Sequence, residues 1–87
     1  MEHIWTEIGS CAGGARFELE LRGSTARVCL MDADNYQAYL DGDEYELYGG
    51  FWETSPVALE VPYDDYWYLV IDSYSGRIKY WLNGPFD

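Results

Sequence analysis

Residues 16–22 read Arg, Phe, Glu, Leu, Glu, Leu, Arg, a strict alternation of charged and apolar side chains. Successive side chains of a strand point to opposite faces, so Phe17, Leu19 and Leu21 share one face and the four charged residues share the other. The segment is a half-buried strand, and its one wet face is the mark of an antiparallel sheet laid on a core. Gly23 and Ser24 follow with glycine first, which suits a type II′ hairpin turn, and residues 25–31 return as the expected partner strand. In that register Leu21 faces Ala26, Leu19 faces Val28 and Phe17 faces Leu30 inside, while Glu20 meets Arg27 outside.

The last third repeats the pattern. Residues 66–72 and 77–82, joined by Ser73 to Gly76, are expected to form a second hairpin. It sets Trp67 against Leu82, Leu69 against Tyr80 and Ile71 against Ile78 inside, with Asp72 opposite Arg77 and Tyr68 opposite Trp81 outside. The outer residues Tyr68, Val70 and Trp81 then form an apolar patch that the N-terminal strand, another layer or a second chain must cover.

Between the hairpins, Asp34 with Gln37 three residues on can open a short helix and Gly42 can end it. Residues 43–48 extend as a strand, Gly49 and Gly50 break it as a turn, Pro56 starts the strand Val57 to Val61 and Pro62 ends it. The expectation is an all-β fold of seven or so strands: a small antiparallel β-sandwich or barrel, jelly-roll-like, with one short helix near residues 33–41 and a single domain over 1–87.

A chain of this length hides roughly 64% of its surface on folding, enough for one modest core and no multidomain enzyme. The longest apolar runs, such as Tyr66 to Ile71, fall far short of the roughly 20 residues that span a bilayer. No basic stretch followed by an apolar run opens the chain, so no signal peptide is read and a soluble, cytoplasmic location is expected.

The net charge of -11 is concentrated, because residues 28–76 hold eleven acids and neither lysine nor arginine. One side of the fold is therefore expected to be strongly negative. Such a field repels nucleic-acid phosphates and anionic lipids, so direct nucleic-acid or membrane binding is not expected. It leaves open a purely solubilising surface, a basic protein partner, or an acidic decoy of a nucleic-acid-binding protein.

Residues that carry chemistry are sparse. Cys11 and Cys29 with one histidine, His3, cannot furnish a four-ligand zinc site, and no metal or cofactor is expected. Cys11 lies near Gly9, Gly13 and Gly14, which suits an exposed loop, and a pairing with His3 would be the minimum for a thiol enzyme. Carboxylate pairs such as Asp41 with Asp43 or Asp64 with Asp65 arise easily in a chain with sixteen acids. Residues 32–43 lack the ligands and the glycine of a calcium loop, and Gly49 and Gly50 lack the lysine of a phosphate loop. The best small-molecule candidates are Tyr63, Asp65 and Tyr66 with Trp52, since rings stack on sugars or bases and carboxylates accept hydroxyl hydrogen bonds. The alternative is that these rings are core, as Trp67 is expected to be. Tyr68 and Trp81 are the candidates for a protein or homodimer interface.

From Val28 to Ile71 the chain also resembles the DUF1883 family, a bacterial domain of unknown function. The resemblance rests on Leu30 Met31 Asp32, Asn35 Tyr36, Tyr39, Gly42, Tyr48 Gly49 Gly50, Ser55 Pro56 Val57, Val61 Pro62, and Trp67 with Val70 Ile71 Asp72. Before Trp67, where a glycine is usual, Asp65 and Tyr66 stand instead. The resemblance implies an all-β domain of this length, found alone or joined to TIR domains that often act in antiviral immunity, and structural roles for Gly49, Gly50, Pro56 and Trp67. It implies a sensing or interaction module. The function expected is thus non-catalytic binding of a protein or small ligand, and the alternatives are the acidic decoy or a small enzyme using Cys11 or loop carboxylates.

Overall fold

The alternation of residues 16–22 is realised as a strand, with Phe17 and Leu19 buried and Arg16, Glu18, Glu20 and Arg22 exposed. The structure, a computed structural model, describes residues 3–52 and 55–86, so Glu2, Glu53 and Asp87 of the charge count lie outside the described residues. The described residues form β1 (Ile4–Cys11), β2 (Arg16–Arg22), β3 (Ala26–Asp32), α1 (Ala33–Asp41), β4 (Tyr48–Trp52), β5 (Val57–Glu60), β6 (Asp65–Asp72) and β7 (Lys79–Phe86). Two antiparallel sheets result, one ordered β1-β6-β3-β4 and the other β5-β2-β7. The fold is a small β-sandwich.

Neither expected hairpin forms. β2 pairs with β5 and β7, and β3 pairs with β6 and β4, so the two strands sit in opposite sheets. β6 and β7 are separated in the same way. Gly23, at φ 118, is where the chain leaves one sheet for the other, and a Cβ there would stand 3.1 Å from Ile78 Cα in the second crossing. Glu20 consequently faces Trp81, and Arg27 and Asp72 face each other.

The reason lies in the outer faces. β3 and β6 are buried on both faces, whereas β2 is charged on its outer one. A β2–β3 ladder would set Glu18 and Glu20 beside Cys29 and Met31 on one surface, and no single layer could both cover the latter and wet the former. Strands with like outer faces pair instead: β3 with β6, β2 with β7. The expected inward residues still meet, now across the sandwich, where Phe17, Leu19, Val57 and Leu59 pack against Val28, Leu30, Trp67, Leu69 and Ile71. Trp67 is fully buried.

The helix covers the doubly apolar sheet. Its cap is Asp32 and not Asp34, because the Asp32 carboxylate accepts the Asn35 backbone N–H at 2.8 Å. Gly42, at φ 78, closes it as expected, where a residue with a Cβ would be strained. Nine residues are too few for a helix to persist alone. Tyr36 holds it down on Cys29, Met31 and Val70, with Tyr68 alongside. The expected patch of Tyr68, Val70 and Trp81 is therefore divided: the helix covers the first two, and Trp81 stands half-exposed on the opposite face.

Gly49 and Gly50 lie inside β4 and form no turn, while residues 43–47 are irregular and form no strand. Gly49 is opposite Cys29, at φ 148, and a Cβ there would stand 2.8 Å from Cys29 Cα and press on the Val28 carbonyl. A Cβ at Gly50 meets nothing within 4 Å. Gly49→Ala is expected to lower unfolding free energy by about 2 kcal/mol and Gly50→Ala by under about 0.5 kcal/mol, as read from urea denaturation of both variants.

Candidate functional site

The outer face of the four-stranded sheet carries a group of linked polar and aromatic side chains. Its anchor is Asp72, the last residue of β6, which has no solvent exposure. Arg27, its neighbour in the ladder, donates from Nε to Asp72 Oδ1 at 2.7 Å and from Nη2 to Oδ2 at 2.6 Å. The Tyr39 hydroxyl of α1 donates to the same Oδ2 at 2.7 Å. Arg27 Nη2 also donates to the Tyr45 hydroxyl at 2.9 Å. Burial works against the Asp72 charge, but the Arg27 and Tyr39 hydrogen bonds outweigh it and hold the carboxyl below its usual range. Burial and the Asp72 hydrogen bond push the Tyr39 phenol upward.

A second carboxylate fastens the other end of the helix. Asp32 accepts from Asn35 N at 2.8 Å, from Asn35 Nδ2 at 2.9 Å and from the Tyr63 hydroxyl. The hydrogen bond to Asp32 raises the Tyr63 phenol. The Tyr63 carbonyl accepts from Trp67 Nε1 at 3.1 Å, so Tyr63 joins the helix cap to the core.

Around these anchors the rings form a continuous strip. Tyr36 stacks on Tyr68 with centroids 4.4 Å apart, and Tyr68 lies 5.7 Å from Tyr66. Trp5 of β1 stands 6.3 Å from Tyr36 and 6.4 Å from Tyr68. His3 is edge-on to Tyr39 at 5.1 Å, its Nε2 is 3.2 Å from the Tyr36 hydroxyl, and Tyr39 is edge-on to Tyr45 at 5.1 Å. Trp5 is 53% exposed, and Tyr66 and Leu40 also open to solvent. At the end near Arg27 the strip borders a concavity of about 300 Å³ lined by His3, Arg27, Tyr39, Leu40 and Tyr45.

Charge is segregated about this face. Glu7 on β1, Asp34 and Asp41 on α1, and Asp43, Glu44 and Glu46 in the loop behind it are all exposed. Glu7 stands opposite Tyr68 in the β1–β6 ladder, and its carboxylate raises the neighbouring Tyr66 phenol, so one of these acids borders the strip. Arg27 is the one lysine or arginine of this side among the described residues, and Asp72 engages it. Arg16, Arg22 and Lys79 belong to the opposite sheet, and Arg77 lies in the crossing after β6.

The six sequence candidates do not converge. Tyr66 and Tyr68 enter the strip. Tyr63 is the strut to Asp32, and Asp65 stands at the sheet end, accepting from the Tyr66 backbone N–H at 2.6 Å. Trp52, at the far end of β4 opposite Ala26, packs on the core, where its Nε1 is buried with no hydrogen-bond partner among the described residues. Trp81 is on the opposite face. Sequence reasoning missed His3, Trp5, Glu7, Tyr36, Tyr39 and Tyr45. The available signal was the phase of β1, where Trp5 and Glu7 share the outward face and Ile4 and Ile8 turn inward.

The cysteines are also placed differently from expectation. Cys11 ends β1 half-buried against the core and is not on a loop, and His3 precedes the same strand, about 25 Å away at strand rise. Cys29 is fully buried, and burial pushes its thiol up to about 12. Among the described residues no three His, Cys, Asp or Glu side chains are grouped to hold a metal ion, and no helix is long and apolar enough to cross a membrane.

Asp72→Asn removes the counter-charge of Arg27 and turns one of the two accepting oxygens into an NH2 that faces a donor, so it is expected to cost about 3 kcal/mol at neutral pH. The Asp72 carboxyl titrates lower in the fold than its unfolded value of about 3.9. As pH falls the unfolded chain therefore binds the proton first, and the stabilisation, complete above that value, is lost as pH drops through the folded one. Urea denaturation from neutral pH down to the acid transition should show the pH dependence reduced in Asp72→Asn.

The sequence profile of the family described as Domain of unknown function (DUF1883) matches residues 11–79 of the chain. No curated protein and no solved structure matches it.

Proposed function

The chain belongs to the DUF1883 family, and from that premise we propose that it is a non-catalytic recognition module whose binding surface is the ring strip between β1 and α1. The observation that carries this reading is Trp5. A tryptophan 53% exposed, flanked by Tyr36 and Tyr68 and continuous with exposed Tyr66, is costly to leave in water and well suited to a partner. Aromatic side chains of this kind dominate the energetics of interface centres. The distance between His3 and Cys11 and the burial of Cys29 support binding over thiol catalysis. Such a module would serve as the sensing or protein-binding part of a bacterial defence system, the role implied by resemblance to domains joined to TIR domains.

Screening the protein against arrays of peptides, oligosaccharides and nucleotides tests the proposal. Trp5→Ala and Tyr66→Ala are each expected to weaken any retained ligand by about tenfold or more, while Trp81→Ala leaves affinity unchanged. Ligands that depend on Trp81 and ignore Trp5 would place the binding surface on the other sheet.

A further inference from the structure

We propose that the strip between β1 and α1 docks an extended lysine- and arginine-rich peptide segment of another protein. The inference rests on the recognition-module reading above and names its partner.

The field around the strip is the first argument. Exposed acids stand on β1, on α1 and in the loop behind it, and Arg27, the arginine of that side among the described residues, is bound to a fully buried carboxylate. The bases that balance the rest of the chain stand on the other sheet or in the crossing after β6. A cationic chain is drawn to this face in preference to the opposite one, where Glu18, Glu20 and Glu60 offset Arg16, Arg22 and Lys79, so the charge distribution orients the partner before contact.

The surface chemistry is the second. Trp5 and Tyr66 expose their rings next to Tyr68 within one contiguous area, and an ammonium or guanidinium group binds best over the face of a tryptophan. Glu7 shares the outward face of β1 with Trp5 and stands opposite Tyr68 in the β1–β6 ladder, which sets a carboxylate beside the rings. A cation over Trp5 therefore finds its counter-charge one side chain away. Rings stack the methylene stem of lysine or the plane of arginine, and the neighbouring carboxylate receives the charged end.

Charge also discriminates among occupants. A second copy of the chain would bring two acidic faces together, and nucleic acid or an anionic membrane would be repelled. An uncharged sugar would be indifferent to the field. The acids are put to use only by a basic segment.

The test is an NMR titration of the 15N-labelled full chain with three short synthetic peptides of equal length, in which glycine alternates with Lys/Arg, with Gln or with Glu, and with a neutral oligosaccharide. The Lys/Arg peptide is expected to shift the Trp5 indole and Tyr66 signals, and to lose about tenfold or more in affinity between about 0.1 M and about 1 M salt, as screening shortens from about 10 Å to about 3 Å. Trp5→Ala should weaken it about tenfold and the charge reversal Glu7→Lys severalfold, with Trp81→Ala unchanged. Retained amide dispersion in each variant separates lost binding from lost fold. If the Gln peptide, the Glu peptide or the sugar shifts Trp5 and Tyr66 and the Lys/Arg peptide does not, the partner is wrong while the surface stands. If the Lys/Arg peptide binds with Trp5 and Tyr66 unmoved, both the surface and the partner are overturned. Absence of binding by the Lys/Arg peptide, or a Trp5-dependent dimer in sedimentation at about 0.1 M salt, rejects the basic segment as occupant.

Discussion

A carboxylate with no access to water must be compensated, and the arrangement of one half of the molecule follows from how Asp72 is. Its two oxygens take three donors, two from Arg27 and one from Tyr39. The first pair locks β3 to β6 in a single register, since sliding the ladder by one residue would turn Arg27 to the core and leave the charge unpaired. The third draws the C-terminal half of α1 onto the sheet, while Asp32 holds its first turn at the opposite end of β3. With both ends tied, a helix too short to be stable in isolation becomes a fixed layer, and Cys29, Met31 and Val70 are covered.

The ring strip is a consequence of the same geometry. α1 rests on β3 and β6 and leaves β1 uncovered at the sheet edge. Tyr36 and Tyr68 fill the seam between helix and strand by stacking, and Trp5, one strand further out, has rings on its inner side and water on its outer side. The acids cluster here for a related reason. The helix and the loop that follows it are surface elements, and this chain fills their solvent positions with Asp and Glu. On the proposed reading, stacked rings beside a helix that a buried polar anchor holds in place would lose little side-chain freedom on binding.

How much of this was legible differs from element to element. The inward faces of β2, β3, β6 and β7, the burial of Trp67, the span of α1 and its closure at Gly42 were all readable from local pattern. The two hairpins were not, because Gly23 and Ser24 can close a tight turn within a sheet or carry the chain between sheets, and both solutions bury the same residues. The discriminating signal was the outer phase: charged in β2, apolar in β3 and β6. Gly49 and Gly50 read as a turn because glycine punctuates sequences, yet Gly49 is there so that β4 can press against Cys29. Of the candidate binding residues only Tyr66 and Tyr68 came together in the strip. An aromatic run in sequence is shared out between core, cap strut and surface once the strand alternates.

The sequence by itself determined the class of fold, the residues that face the core, the position of the helix and the existence of a strongly acidic side. These follow from side-chain periodicity and from charge, which act over a few residues. The tertiary structure alone decided which strands share a ladder, that Asp72 binds Arg27 rather than Arg77, and that Trp5 joins Tyr36, Tyr66 and Tyr68 in one surface. The physical reason is that backbone hydrogen bonds are the same for every residue and cannot select a partner. Selection comes from covering the outer faces and pairing the buried charge, and those conditions are met only by the whole sandwich at once.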